Sequence, residues 1–167
     1  MTTRSLIAFP LILVWSVSAV GRTADGAAQA TGTAKDEEGV RKVLAEFIEA
    51  WNQHDAKAFS MVFAVDADFT NVVGNGAHGR ADVEKFHAPL FATSLKDTHQ
   101  TMTKTEIRFI TPDVASVDAW WEMTGARSPA GQDIPLRMGL LNFVMTRERA
   151  TWTITVMHNM NFQARRD

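Results

Sequence analysis

An α+β domain, with its helices first and packed on one face of a curved antiparallel sheet, is the fold class this sequence predicts. Three observations predict it. Apolar residues recur at helical spacing in three blocks between Asp36 and Phe91. One β-alternating stretch, "DADFTNVVG", interrupts those blocks. From about Thr98 onward the texture changes to four alternating segments separated by turn signals, which is the pattern of a meander.

Each element follows from its residues. Val40, Val43, Leu44, Phe47, Ile48 and Trp51 recur three and four residues apart, with acidic residues crowding the first turn, so the first helix begins at about Asp36. "NQHD" stops it, and Asp55 is placed to N-cap a shorter helix carrying Phe59, Val62 and Phe63. The strand "DADFTNVVG" runs into the turn signal "GNGAHG". A third helix starts near Arg80, with Val83, Phe86, His87, Leu90 and Phe91 on one stripe. Pro89 removes a backbone donor there and is expected to kink or end the last turn. The meander then reads "THQTMTKTEIRFI", a Pro112-Asp113 turn, "VASVDAWWEM", the loop "TGARSPAGQ", "IPLRMGLLNFVMT", the turn "RERA" and the final strand "TWTITVMHNMNF".

The start of the chain reads as a targeting segment. "MTTR" precedes the apolar run "SLIAFPLILVWSVSAV", and Val17-Ser18-Ala19 is a small-residue cleavage signal, so residues 1–19 are assigned as a signal peptide. An uncleaved anchor is the alternative, but residues 5–20 fall short of the about 20 apolar residues a span requires. Residues 20–35, "VGRTADGAAQATGTAK", show no hydrophobic periodicity and are expected to form a disordered leader. One domain over residues 36–163 remains, secreted or periplasmic, with no membrane contact after cleavage. The formal charge of −2 and the lack of a basic run leave no electrostatic case for nucleic acid. The sequence has no cysteine, which removes disulfides, thiol catalysis and cysteine metal ligands from consideration. No metal site is assigned, because two histidines without a third ligand do not make one. No cofactor is assigned either, since no P-loop, Rossmann fingerprint or serine elbow is present.

Parity along the strands exposes a set of polar residues on apolar faces. Phe69, Asn71 and Val73 share the inward face of the first strand, which leaves Asp66 and Asp68 outside. His87 falls in the apolar stripe of the third helix. On the last strand His158 continues the row of Trp152, Ile154 and Val156, with Asn159 beside it. A buried polar group left unpaired costs about 1–3 kcal/mol, so several on one side point to a small lined pocket at the mouth of a cone of sheet. Trp51 and Phe63 are assigned to the wall of that pocket, and Arg137 as a partner for an anion or carbonyl. The competing reading makes His87 a satisfied core histidine, Asn71 a register-fixing side chain and Arg137 an edge arginine. In "RMGLLNFVM", Met138, Leu140 and Val144 point one way, while Leu141, Phe143 and Met145 point the other. Helices cover only one side, so a second copy of the sheet is expected on the other, giving a homodimer.

The run "FIEAWNQHDAKAFSMVFAVDADFTNVVGNGAHGRADVEKFHAPLF", the "PDVASV" turn and the terminal "W-x-I-x-x-x-H-N" resemble the SgcJ/EcaC family, in the SnoaL-like group of the nuclear transport factor 2-like superfamily. The resemblance covers nearly all of residues 38–162. It implies the cone-shaped fold, a curved antiparallel sheet wrapped around about three N-terminal helices, and pairing through the outer sheet face. Asn71, His87, Arg137, His158 and Asn159 match positions that recur in the family's motifs. Pro89 departs from its usual unbroken helix. The superfamily includes ketosteroid isomerase, polyketide cyclases, epoxide hydrolases and dehydratases, as well as non-catalytic carriers and the association domain of calmodulin-dependent kinase.

Two functions are therefore expected. The first is an exported, cofactor-free enzyme or binder for a small apolar organic ligand, with isomerase-, cyclase- or hydrolase-type acid/base chemistry. In it His158 or His87 would be the catalytic acid or base, while Asn71, Asn159 and Arg137 orient and stabilise the ligand. The second is a non-catalytic dimeric binding or association module, which the lack of an inward-facing carboxylate favours.

Overall fold

Thr33 sets the start of the first helix. In the computed structural model, which describes residues 32–128 and 130–162, its hydroxyl accepts from Asp36 N at 3.2 Å, and Asp36 Oδ2 in turn accepts from Thr33 N at 3.0 Å. This reciprocal pair satisfies two of the helix's first free N–H groups. It brings the start of α1 (Ala34–Asn52) forward to two residues before Asp36. The segments assigned as signal peptide, and as leader up to residue 31, lie outside the described residues.

Asp55 caps α2 (Ala56–Met61) as expected, accepting from Ala58 N at 2.9 Å. Phe63, however, belongs to the next element. β1 spans Phe63–Thr70, starting earlier than its alternation suggested and ending before Asn71. Val73 consequently does not share the face of Phe69 and is 74% exposed. "GNGAHG" also holds more than a turn, because Gly76–His78 forms β2, which pairs antiparallel with β1. α3 (Arg80–Phe91) runs through Pro89 and ends two residues later; Val83, His87 and Phe91 are its buried stripe. The meander consists of β3 (His99–Thr111), β4 (Val114–Thr124), β5 (Arg137–Glu148) and β6 (Thr151–Asn161).

The six strands lie in the order β2-β1-β6-β5-β4-β3, antiparallel except for β1 against β6. This curved sheet closes around the helices as the cone that the sequence predicts. Phe47, Phe59, Phe63 and Phe143 are buried in its core, with the Phe47 and Phe59 ring centroids 4.7 Å apart. The parity expected for β5 holds: Leu141, Phe143 and Met145 are buried, whereas Met138, Leu140 and Val144 lie on the outer side.

One irregularity decides where the site residues go. Val144 pairs with Val156, but Met145 pairs with Ile154, so Thr155 is an extra residue in β6. Its hydroxyl lies 2.6 Å from that of Thr146 on the outer side. A bulge of this kind inverts the side-chain alternation beyond it. Trp152 and Ile154 face the core before the bulge, and Met157 takes over that face after it.

Candidate functional site

The open end of the cone holds a cavity of about 170 Å³ between α1, α3 and the ends of β4, β5 and β6. Two contacts fix the end of α1 over it. Asn52 Nδ2 donates to Gln100 O at 3.0 Å while its Oδ1 accepts from Gln100 N at 2.8 Å. His54, in the left-handed region at φ 55°, lies with Nε2 3.1 Å from Thr98 O. Trp51 and Gln100 thereby become cavity walls.

His87 is the central polar group, and it is 2% exposed. Its ring sits among Phe59, Phe69, Phe86, Phe91 and Trp51 at centroid distances of 4.4 to 6.2 Å. Nδ1 lies 2.8 Å from Val83 O, one turn back on α3. A carbonyl only accepts, so Nδ1 carries the proton and Nε2 is the free base. Burial among aromatic rings pushes the imidazole down to about 4, partly offset by the bond to Val83. At neutral pH His87 is uncharged.

Around it the other groups are arranged by their own partners. Trp51 Nε1–H is buried with no hydrogen-bond partner among the described residues. Trp121 Nε1–H donates to Asn159 Oδ1 at 3.0 Å. An indole only donates, which fixes the Asn159 carboxamide and leaves its NH₂ for the cavity. Arg137 stands over the Trp121 ring with its guanidinium carbon 5.8 Å from the centroid, and its Nε donates to Asn161 Oδ1 at 3.2 Å. Burial lowers the Arg137 pKa from its ordinary value, though a guanidinium remains charged at any physiological pH. No carboxylate among the described residues lies within ion-pair distance of it.

Of the residues assigned from sequence, the structure brings together His87, Asn159, Arg137, Trp51 and Asn71. Asn71 stands at the rim, just past β1, and not within an inward strand face. Its Oδ1 accepts from Val73 N at 3.0 Å and Asn75 N at 2.9 Å, so its carbonyl is committed to holding the turn. Two assignments are corrected. Phe63 is wholly buried in the core against Phe47, Phe59 and Phe69 and does not reach the cavity. His158 is exposed on the opposite side of the sheet, because the Thr155 bulge inverts parity ahead of it. There it lines an open groove with Asp68, Thr70 and His78. Asp66 and Asp68 are exposed, as expected from parity.

Sequence reasoning missed Gln100, Trp121 and Met157 as cavity residues. Met157 was readable only with knowledge of the bulge. Gln100 sits in a threonine-rich strand with no apolar contrast to set its parity, although it is 3% exposed. Among the described residues no group of three or more metal-ligating side chains converges.

The profile of the SnoaL-like domain matches residues 44–156. No curated protein matches the chain. Solved structures share the fold. An uncharacterised protein with a cystatin-like fold from Caulobacter vibrioides superposes with a TM-score of 0.71 at 23% identity, over 76% of this chain and 89% of its own. LinA gives a TM-score of 0.71 at 11% identity, over 77% and 86%. A provisionally assigned scytalone dehydratase from Novosphingobium aromaticivorans gives 0.65 at 13% identity, over 77% and 85%.

Proposed function

The chain belongs to the SnoaL-like domain family, and from that premise we propose that its cavity binds a small, mostly apolar organic molecule and moves a proton on it without a cofactor. The observation that carries this reading is the single unprotonated Nε2 of His87, held in one tautomer inside an aromatic enclosure. The Val83 carbonyl keeps the proton on Nδ1, so Nε2 is free to take one from the ligand. The NH₂ of Asn159 and the Arg137 guanidinium line the same cavity and would stabilise negative charge developing on an oxygen. Isomerase-, cyclase- or hydrolase-type steps share this requirement. The dehydratase name carried by one structural neighbour belongs to the same class of proton transfer.

A second reading has its own support. Among the described residues no aspartate or glutamate lines the cavity, so none of them stabilises the imidazolium that proton transfer would create. A base near pH 4 is fully available but weak, and Brønsted behaviour limits it to substrates with an acidic proton. A carrier needs no such base.

A thermal-shift screen of small carbonyl and hydroxyl compounds separates these readings. A ligand at 100 times its Kd should stabilise the protein by about 2.7 kcal/mol. For a catalyst, His87→Gln should keep a cooperative melt and lose about 10²-fold in turnover. Binding without turnover in the wild type supports the carrier. If no compound shifts the melt of the wild type, the cavity reading fails.

We extend the proposal to assembly and location. The outer sheet face carries Trp120, Leu140, Val144 and Val156 half-buried, with Met138 and Met160 exposed beside them at 45% and 44%. A second copy packed there gives the homodimer, and the leader gives export to the periplasm or beyond; both agree with a place in the SgcJ/EcaC branch. Light scattering of the exported protein should give twice the mature mass, with an N-terminus near Val20. A monomer at tens of micromolar, or a retained Met1, overturns the corresponding half.

A further inference from the structure

Three residues that line this cavity carry polar groups with hydrogen-bonding capacity to spare, and together they describe a ligand. The first is the Trp51 Nε1–H, a donor buried without an acceptor among the described residues. The second is His87 Nε2, an acceptor whose ring has committed its only proton to Val83. The Trp51 and His87 rings stand nearly perpendicular, 6.2 Å apart between centroids. A hydroxyl is the group that answers both, since its oxygen accepts from the indole while its hydrogen donates to the imidazole. The third is Arg137, a half-buried cation with no carboxylate among the described residues in ion-pair range. Its guanidinium carbon stands 5.8 Å from the Trp121 ring centroid and its Nε donates to Asn161, which leaves the two terminal NH₂ groups for a planar anion.

Size narrows the choice further. The cavity of about 170 Å³ is close to the ~150 Å³ that takes a benzene ring in an engineered apolar core. Phe69, Phe86, Met123 and Met157 supply its apolar walls.

We propose that the cavity is a binding site for a hydroxylated monocarboxylate built on one ring, with its carboxylate on Arg137 and its hydroxyl between Trp51 Nε1 and His87 Nε2. This deepens the small-molecule reading above and rests on it. The anionic end distinguishes it from a purely apolar ligand.

Calorimetric titration of the full chain with 4-hydroxybenzoate, 4-hydroxybenzamide and benzoate tests each end separately. 4-Hydroxybenzoate should bind at least tenfold tighter than the neutral amide, as expected for a charge-assisted hydrogen bond. Arg137→Gln should erase that preference, and Arg137→Lys should keep part of it. Removing the ring hydroxyl should weaken binding about fivefold or more in the wild type, but little in Trp51→Phe, whose melt should remain cooperative. An amide that binds as well as the acid overturns the proposal while leaving the small-molecule reading intact. So does an acid preference that survives in Arg137→Gln. Failure of all three to bind a cooperatively melting wild type also overturns it, and the broader screen then decides the small-molecule reading on its own.

Discussion

Gly139→Ala should destabilise the protein by about 3 kcal/mol or more, at the upper end of what overpacking a core costs. Gly139 lies on the inner face of β5, directly opposite Trp121 on β4. A Cβ built there would stand 2.0 Å from Met160 O and 2.4 and 2.5 Å from two atoms of the Trp121 indole. The carbonyl belongs to the neighbouring strand and does not give way without parting β5 from β6. Trp121 is 2% exposed and tied to Asn159, so it does not give way either. This close approach is the reason a glycine interrupts the apolar run of a central strand. The melting temperature should fall on the order of 10 °C, and the near-ultraviolet circular dichroism of Trp121 should change with it. A variant melting within 2 °C of wild type with unchanged aromatic bands would show that the indole has room that this packing denies it.

Stability should also fall as pH drops from about 6.5 towards 4, and His87 should be the cause. Its folded pKa is about 4 against an ordinary value of 6.5. Between those limits the unfolded chain binds a proton that the folded one refuses, so stability rises with pH across that window and is complete above it. The full difference amounts to about 3 kcal/mol. Two other shifted groups act elsewhere. Asp36 is held below its ordinary 3.8 chiefly by its bond to the Thr33 side chain, with Arg147 adding to it, so its contribution is lost only at more acidic pH. His78 is raised by its bond to Asp68 and works in the opposite direction. It is exposed, which keeps its contribution small. Urea midpoints at pH 7, 5.5 and 4.2 should therefore decline steeply in the wild type and be nearly flat in His87→Gln. Equal slopes in both proteins would place the proton somewhere else.

The parts of the fold that were legible are those whose signal is local and repeated. The stripe of α1, the Asp55 cap, the stripe of α3 with His87 in it, and all four meander strands were readable because each combines a period with a punctuating turn. The division of β5 into two apolar faces followed from simple alternation, whereas Arg137 was marked only by its place near the start of that strand. What failed was counting across defects. His158 was assigned inward by continuing the row of Trp152 and Ile154, and one unpaired threonine sent it outward. Phe63 was placed by helical spacing, although the helix stops at Met61 and a strand begins immediately. Asn71 was placed by strand alternation one residue after the strand had ended. Thr155 carries no mark in the sequence, because threonine suits a regular strand as well as a bulge. The defect comes from the way β5 and β6 fit around the cone, and such long-range fit is absent from any local window.

Beyond Thr155 the end of β6 serves two surfaces with alternate residues: Met157 and Asn159 line the cavity, while Val156, His158 and Met160 belong to the outer face. Gaining or losing one residue within this stretch exchanges the two sets at a stroke. Neither surface can then drift in length on its own account during evolution. In this part of the chain only replacement of one residue by another is open to selection, and insertions or deletions are tolerated only in pairs that restore the count.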